Sequence, residues 1–218
     1  MFFERRDLSL YRILFLITGC SILFFLPGVS TSTDAPYPIV ISDMSPQQLD
    51  KGVFLVASRE MTDPRFKETV ILVTQHERGG ALGVIINRPT EIDMADIFPG
   101  IDALQGNVMH PYIGGPVHPM FLSVLVNTPQ LQKNMLQVID NVFFGLGAGL
   151  AVDLISGMKK HDKLHLYFGY AGWTAGQLEF ELHRGDWYMI KADTQAIFDK
   201  DPATLWSEYI DLVTGVWI

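Results

Sequence analysis

One run constrains this chain more than any other: Gly169-Tyr170-Ala171-Gly172-Trp173-Thr174-Ala175-Gly176-Gln177-Leu178-Glu179-Phe180-Glu181. Gly169, Gly172 and Gly176 alternate with the large aromatics Tyr170 and Trp173, directly behind the apolar stretch Leu164 to Phe168. The pattern reads as a strand, a tight loop fixed by Tyr170 and Trp173, and a helix over Ala175 to His183. A loop of this kind is either the wall of a site or a packing corner. It points to a scaffold, not to a reaction.

The surrounding chain supplies the rest of that scaffold. Val53 to Ala57, Phe121 to Val126, Leu136 to Ile139, Val142 to Phe144 and Trp187 to Ile190 are strand candidates. Thr69 to Thr74 and Ala81 to Ile86 flank Glu77-Arg78-Gly79-Gly80, a hairpin signal. Thr90 is placed to cap a short helix over Glu91 to Phe98, and Leu150 to Lys159 reads as a second helix. Pro202 in a first turn, followed by Leu205, Tyr209, Leu212 and Val213, gives a final amphipathic helix. Hairpins followed by mixed elements favour an α+β fold over a doubly wound parallel sheet.

The high mean hydropathy, +0.20, directs attention to the N-terminus. Arg5, Arg6 and Arg12 precede an apolar run from Ile13 to Leu26, and Pro27-Gly28-Val29-Ser30 follows. Residues 1–30 therefore read as a secretory signal peptide, or as a retained membrane anchor if uncleaved. No Lys or Arg follows until Lys51, so the positive-inside bias places the folded domain outside the cytoplasm. Ile17-Thr18-Gly19-Cys20 offers a loose lipoprotein alternative. Residues 31–50, polar with Pro36, Pro38 and Pro46, read as a linker, and residues 51–218 as the domain. Met44 is a second candidate start, which would make the protein cytoplasmic.

Several chemistries find no support. Cys20 is the only cysteine, so the domain has no disulfide, thiol nucleophile or thiolate metal site. From Ser32 onward 13 Lys and Arg stand against 22 Asp and Glu, a net charge of −9 without a basic cluster, which disfavours nucleic acid. Gly145-Leu146-Gly147-Ala148-Gly149 follows a strand but fits neither dinucleotide nor Walker spacing. His161 and His165 lack a following Glu for a zinc site and read as an exposed pair. Met109-His110 and His118-Pro119-Met120 suit soft copper, although loop residues beside prolines are the plainer reading. Asp93 with Asp96, and Glu179 with Glu181, read as helix-start charges or a solvated face. No cofactor is expected.

Two motifs remain as candidate walls. Asn87-Arg88-Pro89 ends a strand, and Arg88 either holds an anion or ties down a loop through backbone carbonyls. Tyr112-Ile113-Gly114-Gly115-Pro116 reads as a rigid turn that permits close backbone approach.

Taken together, the motifs resemble the YqgE/AlgH family. The matching residues include Gly52 to Ala57, Asp63-Pro64-Arg65-Phe66, Gly80 to Gly83, Asn87 to Thr90, Gly114-Gly115-Pro116, Gly169 to Trp173 and Gly176 to Glu179. The resemblance implies a single compact α+β domain with a strongly bent, mostly antiparallel sheet flanked by helices. The family that the chain resembles has no established enzymatic activity or cofactor, and some members carry a transcriptional-regulator label. The chain departs from the pattern at Ala57-Ser58-Arg59, in its glycine-rich Gly145 to Gly149 run, and in its N-terminal extension.

The expected role is a non-enzymatic binding or regulatory domain, exported or membrane-tethered, with an unknown small molecule or protein as partner. The membrane would be met through the N-terminal segment if it is uncleaved. The alternative is a ligand sensor or enzyme using Asn87, Arg88, Gly114, Gly115, Tyr170, Trp173 and Gln177. A cytosolic transcriptional regulator is the third reading.

Overall fold

Why one chain of alternating apolar residues needs three separate cores is explained by its sheet. A computed structural model describes residues 49–105, 108–130, 132–159 and 162–215. The leader, residues 31–48 of the linker and His161 lie outside the described residues. The described residues belong to one compact unit.

Nine strands are present among them: β1 (Val53–Ala57), β2 (Val70–Glu77), β3 (Gly80–Ile85), β4 (Tyr112–Ile113), β5 (Val117–Asn127), β6 (Leu136–Ile139), β7 (Val142–Leu146), β8 (Lys163–Thr174) and β9 (Trp187–Lys191). The helices are α1 (Met94–Ile97), α2 (Ala148–Gly157), α3 (Gln177–Arg184), α4 (Thr194–Phe198) and α5 (Pro202–Thr214), with a short 3-10 helix at Asp102–Leu104. The strand order is β6-β7-β5-β8-β3-β2-β1-β9, with β4 added to β8. Every pairing is antiparallel except β4 with β8.

The long strand β8 joins two half-sheets. Its first part pairs with β5, from Lys163 opposite Asn127 to Tyr170 opposite Val117. Its last part pairs with β3, from Ala171 opposite Gly83 to Thr174 opposite Gly80. Successive side chains of a strand point to opposite faces, so each half-sheet buries two sets. Phe54, Val56, Val70 and Leu72 enter a central core with Leu125, Phe144, Tyr167 and residues of α4 and α5. Their neighbours Val53, Leu55, Ile71 and Val73 enter a second core with Trp173, Trp187 and Leu178 of α3. Leu122, Val124, Leu164 and Leu166 form a third with Met94, Ala151 and Ile155. The central core contains residues of both halves, as the strongly bent sheet requires. A Cβ added to Gly52, before β1, would run into Ile139 of β6.

Most elements lie where the sequence places them, and the differences have physical causes. The stretch Gly169 to Trp173 is strand, not a tight loop, because β3 and β5 offer it partners on successive sections. The helix behind it begins at Gln177, not Ala175. Tyr112-Ile113 is a parallel strand on β8, and only Gly114-Gly115-Pro116 turns. Asp93, not Thr90, caps the first helix, accepting from the Ala95 N–H at 3.0 Å, while Thr90 Oγ1 donates to the Pro111 carbonyl. The helix read at Leu150 to Lys159 runs from Ala148 to Gly157. Helix α4, capped by Asp193, is too short to announce itself by periodicity. Leu49, at the end of the expected linker, is buried in the second core.

Backbone crosses backbone where the half-sheets meet. Gly114 N–H donates to the Phe168 carbonyl at 2.8 Å, and Ile85 N–H donates to the Gly114 carbonyl at 2.9 Å. A Cβ on Gly115 would overlap Tyr170 and Ala171 backbone, one on Gly114 would overlap the Gly169 carbonyl, and one on Gly169 the Gly115 carbonyl. Gly169 and Gly115 also hold positive φ angles of 69° and 153°. Gly115→Ala is therefore expected to destabilise the domain by roughly 3 kcal/mol through overpacking and backbone strain. Urea unfolding measures this, and an unchanged midpoint would contradict the close crossing.

Candidate functional site

The seven candidate residues do not converge on one pocket. They divide into two groups. Asn87 and Arg88 sit at the end of β3, and Gly114, Gly115 and Tyr170 lie beside the crossing. Trp173 and Gln177 lie at the far end of β8, against α3.

Asn87 acts as a bridge between chain segments. Its Oδ1 accepts from the Val70 N–H at 2.9 Å and its Nδ2 donates to the Glu68 carbonyl at 3.0 Å. Arg88 takes the loop-tying alternative: its guanidinium donates to the Arg65 carbonyl at 2.6 Å and the Lys67 carbonyl at 2.8 Å. Burial pulls the Arg88 pKa down, and Glu68 works the other way. The backbone carbonyl of Arg88 accepts from Ile113 N–H at 2.8 Å, which anchors this corner to β4.

Trp173 is a core anchor, 6% exposed. Its indole N–H donates to Glu181 Oε2 at 2.8 Å. The Trp187 indole N–H donates to the same oxygen at 2.9 Å, with the two rings edge to face at 6.2 Å. Gln177 Nε2 donates to Glu181 Oε1 at 2.9 Å, and its Oε1 accepts from the Thr174 N–H at 3.1 Å. Glu181 thus clamps α3 to β8 and β9. The sequence reads it as a helix-start charge or part of a solvated face; the two tryptophans that need an acceptor are the available signal. Its neighbour Glu179 bonds His76 of β2 at 2.9 Å.

A surface feature emerges beside the first group. Val117 of β5 lies opposite Tyr170 and Leu122 opposite Phe168, so His118-Pro119-Met120-Phe121 stand across from Gly169 alone. These residues leave the ladder as a bulge, with His118 at a φ of 47°. Met120 is 86% exposed and Phe121 42%. Ile113 and Leu146, each 47% exposed, lie at the same end of the half-sheet but on opposite faces: Ile113 is opposite Phe168, and Leu146 is opposite Ser123, the partner of Tyr167. The His118 ring lies 5.9 Å from that of the half-buried Tyr170. His118 to Phe121 line a shallow hollow of about 410 Å³. No periodicity signals such a knuckle, because its cause is the register shift between β5 and β8.

His165 lies within β8 and is not the exposed residue that the sequence suggests. Its ring stacks on Tyr112 at 4.8 Å and meets Phe198 of α4 at 5.0 Å. Burial lowers its pKa from 6.5 to about 4, with Asp199 raising it and Lys163 lowering it. The two Met-His segments are separated by β4: His110 Nδ1 bonds the Ile92 carbonyl at 2.9 Å, whereas His118 lies on the bulge. Among the described residues, no three or more of His, Cys, Asp and Glu are grouped to hold a metal ion. Nor is any helix there long and apolar enough to cross a membrane.

A family model described as AlgH-like matches residues 54–217. A UPF0301 protein of Chlorobaculum tepidum is 32% identical over 163 residues, covering 74% of this chain and 86% of the relative. A UPF0301 protein of Thiobacillus denitrificans is 36% identical over 154 residues, covering 68% of this chain and 82% of the relative. The solution structure of the AlgH protein from Pseudomonas aeruginosa superposes with a TM-score of 0.63 at 27% identity, covering 84% of this chain and 94% of that one. A crystal structure from Corynebacterium diphtheriae, at 21% identity and a TM-score of 0.62, shares the fold over 76% of this chain and 87% of its own.

Two expectations follow from the buried groups. Glu181→Ala leaves two indole donors without their acceptor and is expected to cost roughly 2–4 kcal/mol. A red-shifted tryptophan emission and a lower unfolding midpoint report it; a wild-type midpoint would remove the clamp. Neutral burial of His165 contributes stability that is present above its unfolded pKa and lost as pH falls towards the folded one. Between pH 6.5 and about 4, wild type is expected to lose about 3 kcal/mol relative to His165→Leu. Parallel denaturation series of the two proteins at several pH values measure that difference, and parallel curves would contradict it.

Proposed function

We infer that this chain, which belongs to the AlgH-like family, is a non-enzymatic binding domain that presents the bulge at His118–Phe121 to a partner protein. The observation that carries the reading is the exposure of Met120 and Phe121 on the bulge that leaves the β5–β8 ladder. Large apolar side chains held exposed next to one another, as Met120 and Phe121 are, mark interaction sites. Aromatic and methionine side chains are also enriched at the centres of protein interfaces. The motif residues support the same view from the other side. Asn87, Arg88, Gly114, Gly115, Trp173 and Gln177 are engaged in holding backbone and helix in place. Their structural work shapes the platform and leaves the bulge as an outward-facing feature.

The partner is a protein with an apolar groove and not nucleic acid, since the net charge of −9 from Ser32 onward opposes phosphate. The domain works outside the cytoplasm, by the arginines at 5, 6 and 12 ahead of Ile13 to Leu26. A sensor role has one specific support, the hollow at His118 to Phe121 beside Tyr170. It would appear as ligand-dependent stabilisation that is lost in Tyr170→Ala.

Placing a benzoylphenylalanine photocrosslinker at position 120 in cells should trap one discrete protein adduct, absent when the probe stands at Glu77. Equal labelling at both positions would refute the docking surface. Alkaline phosphatase fused after Ile218 should be active if the domain is exported. Inactivity together with a native N-terminus at Met44 would place it in the cytoplasm.

A further inference from the structure

Beneath α4, one face of the second half-sheet carries polar groups that the packing described so far does not use. Ser123 lies directly opposite Tyr167 across the β5–β8 ladder, and Leu125 lies opposite His165. Tyr112 of β4 lies opposite Tyr167 on the other side. Residues paired in register, and residues two apart on one strand, share a face. Tyr112, Ser123, His165 and Tyr167 therefore all point towards the central core. The rings pack together: Tyr112 and Tyr167 at 5.4 Å, and His165 and Tyr167 at 6.4 Å.

Three polar atoms on this face are sealed from solvent and have no hydrogen-bond partner among the described residues: Ser123 Oγ, His165 Nδ1 and the Tyr167 hydroxyl. Tyr167 and Ser123 are themselves 0% and 1% exposed. A buried hydroxyl or imidazole nitrogen without a partner is costly, and native cores rarely carry even one. Three on one face of a few neighbouring residues are better explained by a shared partner than by three independent defects. The inventory fits a single occupant class. A hydroxyl both donates and accepts, and a neutral imidazole offers one of each. Buried waters make about three such bonds.

We propose that this face is an internal water-binding site in which ordered water bridges His165 Nδ1 and the Tyr167 hydroxyl, with Ser123 Oγ as a further hydrogen-bonding group. The rings of Tyr112 and Phe198 close the site around His165, and α4 covers it. The occupant is neutral, in keeping with an imidazole enclosed by rings. Lys163 and Asp199, which form an ion pair with one another, are the charged groups that act on the imidazole, in opposite directions. The water ties the polar groups of β8 to that of β5 on the face that α4 covers.

Two measurements on the full chain decide the matter. Tyr167→Phe removes only a hydroxyl. If the hydroxyl is a water ligand, its loss lowers the melting temperature by several degrees. An unchanged or raised melting temperature would mean that the hydroxyl was an orphan whose removal relieves the core, and would overturn the proposal. A crystal structure at a resolution that resolves solvent should show a peak at hydrogen-bonding distance from both His165 Nδ1 and the Tyr167 oxygen. A dry core there, or a direct bond between the two side chains, would also overturn it.

Discussion

Everything in this domain depends on a close crossing of backbones. The chain after β4 passes over β8 at Gly114-Gly115, against Gly169 and Tyr170, with no side chain between them. β4 reaches that point on one side of β8, and β5 leaves it on the other. The same strand then continues into β3 and the first half-sheet. Because β8 is shared, the two halves cannot be displaced independently. A side chain at the crossing would hold the segments apart and break the bonds that Gly114 makes to Phe168 and Ile85. The glycines are thus requirements of contact distance before they are requirements of conformation.

The crossing also generates the surface. One residue of β8, Gly169, stands across from four residues of β5, and the excess chain has to leave the sheet. It leaves as His118 to Phe121, carrying Met120 and Phe121 into solvent. Under the proposed docking role, function and architecture are coupled at one place: the feature that joins the half-sheets also presents the apolar knuckle. At the other end of β8, Glu181 binds Trp173 and Trp187 and fixes α3 over the second core. That arrangement is a clamp, and it explains why Trp173 is turned inward.

Strand positions were legible where local sequence determines them. The hairpin at Arg78-Gly79 is announced by its turn residues, and α5 by Pro202 and its apolar stripe. Val53 to Ala57 and Trp187 to Ile190 are apolar enough to read as buried strands. What could not be read locally was partnership. Gly169 to Trp173 looks like a loop because glycines weaken strands, yet two neighbours hold it extended. His165 looked exposed because its sequence neighbours Lys163 and Asp162 are polar; Tyr112 and Phe198, which cover it, are distant in sequence. Arg88 and Gln177 carry functional-looking chemistry that is directed at backbone carbonyls and a carboxylate. The bulge had no signature, since it arises from the relative register of two strands.

The measurement that bears most directly on this account is native-state hydrogen exchange at the crossing. The amides of Gly114 and Ile85 bond across it, to Phe168 and Gly114. If the crossing binds both half-sheets into one cooperative unit, these amides exchange only through global unfolding. Their opening free energy and denaturant dependence should then match those of Leu55 and Leu125 in the strands on either side. Exchange of Gly114 and Ile85 through a low-energy opening insensitive to denaturant would contradict the account. It would show that the half-sheets are separately stable and that the crossing is a loose contact between them.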